Sequence, residues 1–145
     1  MYLLDTNVIS ELRKVRSATA HPGVVAWASA VPGALMFMSV ISLHELEHGV
    51  LLAEHLDPAK GAKLRAWLDR SVRPAFTDRI LPVDDAVVLQ AAALHVPDPA
   101  PFRDALIGAT ALVHGMMMIT RNVRDFERFR ALEVVNPWTT TDPAG

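Results

Sequence analysis

Asp5, Glu45, Asp104 and Asp125, with the amide Asn122, are the side chains of this sequence best suited to shared chemistry. Asp5 ends the apolar run Tyr2-Leu3-Leu4, and Glu45 follows an apolar stretch ending at Ser39. Asp104 stands near the start of an apolar helical stretch, while Thr120, Asn122 and Asp125 follow Met116–Ile119. Carboxylates brought together repel and raise one another's pKa unless a cation neutralises them. Oxygen-only ligands suit Mg2+ or Mn2+, and such ions can activate water and hold a phosphate for in-line attack. Taken singly, each residue has a plainer role. Asp5 could cap the helix after it, Asp104 could favour a helix dipole, and Glu45 could close a capping box. Asp125 could pair with Arg121 or Arg128, and Asn122 could be a cap. Asp84, Asp85 and Asp98 are expected to be caps only. The set and its placement carry the argument.

A second pattern competes for Glu45. His44-Glu45-Leu46-Glu47-His48 matches the helical zinc signature of many metalloproteases, with the two histidines one turn apart. A zinc hydrolase needs a third ligand on a later element. Glu54, His55 and Asp57 are available, but none stands in a recognisable second block. Glu47 also puts a charge where a buried catalytic helix carries an apolar residue. The expectation is that Glu45 matters and that His44 and His48 only flank it; zinc hydrolysis is the least favoured alternative.

Composition bounds the remaining choices. The chain has 145 residues, 51% of them hydrophobic and 21% charged, as for a folded domain with a real core. One domain is expected over residues 1–138, with a loose tail at 139–145. Without cysteine there are no disulfides, thiolate nucleophiles or cysteine-bound zinc, and a cytoplasmic location is compatible. The start MYLLDTN is not a signal peptide, and no apolar run approaches the ~18–20 residues of a membrane span. A net charge of −2 gives no global field for nucleic acid. An anionic substrate would need a local basic patch or a metal. Arg13, Lys14 and Arg16 follow the first helix and could meet phosphate, or could be a solvated face.

Periodicity supplies the elements that would position these residues. Strands are expected at 2–4, 35–39, 79–82, 116–120 and 134–135. Helices are expected at 7–15, from Pro22 to Ala30, from a Ser42 cap onward, from Asp57-Pro58, from Asp84 or Asp85 to His95, from Phe102 to His114, and briefly from Val123. Gly115 is a favoured residue just past a helix end. Alternating strands and helices argue for an α/β sandwich with a mostly parallel sheet, whose working site lies at the carboxyl ends of its strands. Leu51, Leu52, Leu56, Leu64, Trp67 and Leu68 could be core or a groove for a partner helix, and Trp138 could sit at an interface.

The blocks YLLDTNVISELRK, MSVISLHELEHGV, DALIGATALVHGMMMITRNVRDFERF and VVNPW together resemble the PIN-domain ribonucleases, in particular the VapC/FitB-like toxins of toxin–antitoxin pairs. The likeness spans residues 2–138. It implies a PIN-like three-layer sandwich with a central, mostly parallel sheet of four to five strands. It also implies a Mg2+- or Mn2+-dependent endoribonuclease acting on tRNA or rRNA, a homodimer, and inhibition by a cognate antitoxin that often inserts an arginine. By this resemblance Asp5, Glu45 and Asp104 are the metal-binding and catalytic acids, and Asn122 or Asp125 fills the fourth position. Thr6 and Thr120 match hydroxyls beside the metal, Ser39 is a supporting candidate, and Arg13 and Lys14 are candidates for binding substrate. DNA contact would come only through the antitoxin, since no DNA-binding helix pair is evident. A catalytically inactive PIN-like interaction module is the alternative.

Overall fold

Leu3 and Leu4 are neighbours on an extended strand, so their side chains point to opposite faces. Both are fully buried, and each lies in a different apolar core. The strand must therefore be covered on both sides, the condition met by a parallel sheet between helical layers. The computed structural model describes residues 1–139. It contains a five-stranded sheet in the order β3-β2-β1-β4-β5, every adjacent pair parallel. The strands are β1 (Tyr2–Leu4), β2 (Met36–Ser39), β3 (Ile80–Leu81), β4 (Met117–Ile119) and β5 (Val134–Val135). The expected α/β sandwich with four to five strands is thus met. The chain crosses from β1 outward to β2 and β3, then returns to β4 on the other side of β1. That reversal places a crevice at the carboxyl ends of β1 and β4.

The helices divide between the two faces. Leu4, Met38 and Ile119 of the sheet pack with Val8 and Ile9 of α1 (Thr6–Leu12), Val24 and Trp27 of α2 (Pro22–Ala30), and Leu46 and Val50 of α3 (Val40–Leu56). Leu3 and Met118 pack on the other side with Val87 and Ala91 and with Ala105 to Ala111. Those residues belong respectively to α6 (Asp85–Leu94) and α7 (Phe102–Val113). Between them in sequence, α4 (Pro58–Trp67) runs through a π-helical turn (Leu68–Val72) into the short α5 (Arg73–Ala75). Leu68 is buried at that turn, Leu64 and Trp67 are half-buried, and Leu51, Leu52 and Leu56 of α3 are exposed. The six apolar residues that sequence alone could not divide between core and surface are therefore split between them.

Several local expectations are corrected. Ser39, not Ser42, caps α3: its Oγ accepts the Ile41 N–H at 3.0 Å, and β2 leads into the helix with no intervening turn. Glu45 therefore stands in the second turn, outside any capping box. Ser42 is buried, with no hydrogen-bond partner for its hydroxyl among the described residues. Asp84 caps α6 through the Val87 N–H at 3.1 Å, but Asp98 caps nothing, because α7 starts after Pro101. The helix expected over 7–15 begins at Thr6 and tightens to a 3-10 turn at Arg13–Val15. Gly115 has φ +63°, the left-handed conformation expected just past α7. The expected tail 139–145 lies outside the described residues except for Thr139.

One contact governs how α3 and α4 meet. Gly61 of α4 is buried against Glu54 of α3, where a Cβ would stand 2.4 Å from the Glu54 Cα and 2.5 Å from its backbone nitrogen. Those atoms are backbone and cannot turn away, so a methyl group must push the two helices apart. Gly61→Ala is expected to lose roughly 1–3 kcal/mol in urea unfolding, the usual range for overpacking. Unchanged stability would show that the helices separate freely.

Candidate active site

At the carboxyl end of β1 the backbone turns into α1, and Asp5 occupies the turn. Its Oδ1 accepts the Thr6 N–H at 2.8 Å, so the expected capping role is real. Its Oδ2 does something else. It accepts the Thr120 hydroxyl at 2.7 Å and the Asn7 amide at 3.3 Å. Thr120 follows β4 and is fully buried, and its Oγ1 also accepts the Asn122 N–H at 3.0 Å. The Asn7 side-chain Oδ1 accepts the Arg121 N–H at 3.1 Å. Asp5 and Asn7 thereby lock the loop after β4 to the first turn of α1. The role of Asn7 was missed in the sequence, where it stands as one more polar residue at a helix start; the Asp-Thr-Asn spacing was the available signal.

Asp5, Glu45, Asp104 and Asp125 line one open cleft of about 440 Å3, with Thr6, Asn122 and Arg121 on its walls and Trp138 at its side. Four separate stretches of chain deliver the acids: the β1–α1 turn, the second turn of α3, the first turn of α7 and the 3-10 turn Val123–Phe126. Burial raises the Asp5 carboxyl above its ordinary pKa, against the lowering effect of its Thr120 and Thr6 hydrogen bonds, and Asp125 adds repulsion. Glu45 is raised by burial and then by Asp5. Asp104 is pushed up to about 6, by burial first and then by Asp125, Asp5 and Glu45. The acids thus act on one another as a group, which is what their convergence required.

The donor set fits a hard divalent cation: carboxylates, hydroxyls and an amide, with no sulfur. Thr6 Oγ1 is a buried hydroxyl with no partner at hydrogen-bond distance, although it lies near enough to Glu45 to favour that carboxylate's ionised form. It is free to bond a further group in the cleft. Among the described residues, no three acids or histidines already close on one point, so a cation would have to draw them inward.

Other expected residues fall elsewhere. Ser39 is fully buried and commits its hydroxyl to capping α3, outside the cleft lining. Lys14 pairs with Glu11 at 3.1 Å, and Arg13 faces an adjoining groove. Asp125 forms no ion pair with Arg121 or Arg128 among the described residues. Arg128 donates to the Pro99 carbonyl at 2.8 Å, and the Arg121 guanidinium lies 5.4 Å from the Trp138 ring centroid. Asn122 precedes the 3-10 turn, but its side chain makes no capping bond. His44 and His48 are exposed on α3, outside the cleft lining, with ring centroids 6.4 Å apart. Glu47 between them is held by Arg65 at 2.6 Å.

A pH dependence follows from Asp104. Its folded-state pKa of about 6 exceeds its ordinary 3.8, so the folded chain holds this proton more tightly than the unfolded chain. The resulting stability is full below about pH 4 and is lost as pH rises through about 6. With EDTA present, Asp104→Asn is expected to be more stable than the parent at pH 7.5, by roughly 1 kcal/mol once solvent screening is allowed for. Urea unfolding at pH 4.5 and 7.5 checks this; parallel pH profiles would show that Asp104 bears no such repulsion.

The relatives of this chain are consistent in kind. A VapC ribonuclease, Y4jK, from Sinorhizobium fredii is 36% identical over 143 residues, which cover 95% of this chain and 98% of that protein. Toxin FitB from Neisseria gonorrhoeae is 36% identical over 145 residues, covering 95% of this chain and 99% of the toxin. The crystal structure of FitAcB from Neisseria gonorrhoeae superposes with a TM-score of 0.86 at 33% identity, covering 97% of this chain and all of that one. The PIN domain family model matches residues 2–132. With the strand order and the acidic cleft at the β1–β4 crevice, this match over most of its length shows that the chain belongs to the PIN domain family.

Proposed function

We propose that this chain is a Mg2+- or Mn2+-dependent endoribonuclease and the toxin of a toxin–antitoxin pair. The observation that carries the reading is the convergence of Asp5, Glu45, Asp104 and Asp125 on one open cleft whose described lining holds a single cation, Arg121. Kinship with proteins named VapC ribonuclease and toxin FitB supports the choice of RNA and of the toxin role.

Asp5 and Asp104 would hold the ion, with Glu45 and either Asp125 or Asn122 completing its surroundings. When bound, the ion supplies a Lewis acid that activates water and offsets charge on the scissile phosphate. The chain's own residues do the rest. Thr120 and Asn7 keep the Asp5 carboxylate in one orientation. Glu45, half-buried with a raised pKa, is suited to accept the proton of the attacking water. Thr6 Oγ1 is placed to bond that water or the phosphate. Arg121, the one cation among the described lining residues, can meet a phosphate oxygen while it rests on Trp138.

In this reading the substrate is tRNA or rRNA, the working form is a cytoplasmic homodimer, and a cognate antitoxin covers the cleft, an arginine replacing the missing positive charge. DNA would be met only through that antitoxin. No helix among the described residues is long and apolar enough to cross a membrane.

Cleavage of tRNA and rRNA fragments by the purified chain, freed of partner, tests the reading in Mg2+, Mn2+ and EDTA. Asp5→Asn, Glu45→Gln and Asp104→Asn are each expected to lose at least about 100-fold in rate. The His44→Ala/His48→Ala double variant should keep the parent rate within a few-fold. If cutting survives Asp5→Asn and fails in the double variant together with loss of bound zinc, the zinc-hydrolase alternative takes its place. If every RNA remains intact under all conditions, the chain is an inactive PIN-like module.

A further inference from the structure

A larger concavity, about 690 Å3, lies beside the acidic cleft and has the opposite character. The 3-10 turn after α1 contributes Arg13, the residue just past it is Arg16, and α4 and the π-helical turn contribute Lys63, Trp67 and Arg70. No acid lines it. All four cations are exposed, and none forms an ion pair among the described residues. The nearby acids are committed elsewhere. Arg65 holds Glu47 at 2.6 Å, Glu54 at 3.0 Å and Asp69 at 3.6 Å. One arginine thus engages three acids, none of which lines the groove. In a chain of net charge −2, this is a local concentration of positive charge.

The groove is continuous with the acidic cleft. A smaller concavity of about 230 Å3 joins them: Thr6, Ser10 and Glu45 line both it and the acidic cleft, and Arg13 and Trp67 line both it and the basic groove. Lys60 adds a further cation to this passage. From Thr6 to Arg16 the path follows α1 and its extension, about 15 Å at helical rise. The Arg13 guanidinium lies 6.0 Å from the Trp67 ring centroid, so the groove also offers the planar surfaces on which unpaired bases stack.

We propose that this basic groove between α1 and α4 is the track of single-stranded RNA beside the scissile phosphate, with Arg13, Arg16, Lys63 and Arg70 meeting backbone phosphates and Trp67 stacking a base. The proposal rests on the nuclease reading and extends it. A strand with one phosphate at the carboxylates must carry its neighbouring phosphates away from them, and this exit is lined with unpaired cations. An acidic protein segment would satisfy the charges but would have no use for the stacking surface or for continuity with Glu45.

The test uses the full chain, freed of partner, in EDTA, with a fluorescein-labelled mixed-sequence 12-nucleotide RNA followed by anisotropy over a salt series. For single strands each neutralised phosphate adds about 0.7 to the slope of log affinity against log salt. Lys63→Gln/Arg70→Gln should lower the slope by about 1.4 and weaken binding roughly tenfold or more at low salt. Arg73→Gln/Arg130→Gln makes the same charge change at exposed sites outside the groove, and should bind within about twofold of the parent. Trp67→Leu should weaken binding about tenfold with the slope unchanged, and Trp67→Phe should restore most of the loss. Equal weakening by the two charge pairs, or a slope that ignores Lys63 and Arg70, overturns the proposal. So does a 12-residue poly-glutamate peptide that binds as tightly as the RNA. The two readings fail separately. Groove-dependent binding without cutting in Mg2+ or Mn2+ supports the groove and removes the nuclease; cutting with groove-independent binding does the reverse.

Discussion

A buried carboxylate that must stay ionisable is the constraint on which this structure turns. Asp5 sits at the end of β1, only 8% exposed, and burial alone favours its neutral form. The fold answers with hydrogen bonds from Thr6, Thr120 and Asn7, two of which come from the first turn of α1 and one from beyond β4. These bonds need β1 and β4 to be neighbours, and so depend on the reversal in strand order. They hold Asp5 in place without returning its carboxyl to the ordinary range, because burial outweighs them and Asp125 adds repulsion. The cleft is stable enough to exist and is left short of a cation. Under the proposed function, that shortage is what lets an acidic cleft receive an anionic substrate together with a cation.

Much of this arrangement was legible in the sequence, for physical reasons. β1, β4 and β5 are short apolar runs that each abut a polar residue, so the positions of Asp5 and Thr120 at strand ends follow from periodicity. Asp104 in the first turn of α7 follows from the proline-rich loop before an apolar helix. The start of α3 was harder. SVIS holds two serines three residues apart, either able to cap a helix, and only the pairing of β2 decides that Ser39 does so. Long-range polar contacts left no local trace. The bond from Thr120 to Asp5 spans 115 residues, and that from the Arg121 N–H to Asn7 spans 114. Arg65 gathers acids 18 and 11 residues before it and four after it, which a scan for helical pairs finds only in the last case. Exposed Leu51, Leu52 and Leu56 share the apolar character of a core stripe, because hydropathy records a face and not whether anything covers it.

In the proposed reading, the acidic cleft and the basic groove divide two tasks that a single surface would perform poorly. Carboxylates close enough to share a cation repel a bare phosphate; cations placed among them would pair with them and be consumed. Here charges of opposite sign are kept on neighbouring stretches of one continuous depression. Arg65 maintains that separation from outside it, by drawing Glu47, Glu54 and Asp69 together on the α3–α4 side.

The close approach at Gly61 has a mechanical meaning as well. Glu45 belongs to α3, and Lys63 and Trp67 belong to α4. The Gly61 backbone is seated on Glu54, and Arg65 is clamped across the same seam, so the two helices are tied at more than one point. Glu45 and Trp67 line one small concavity across that seam, so the acid and the groove residues of α4 are held side by side. A shift of α4 away from α1 would therefore carry Glu45 with it and change its distance from Asp5.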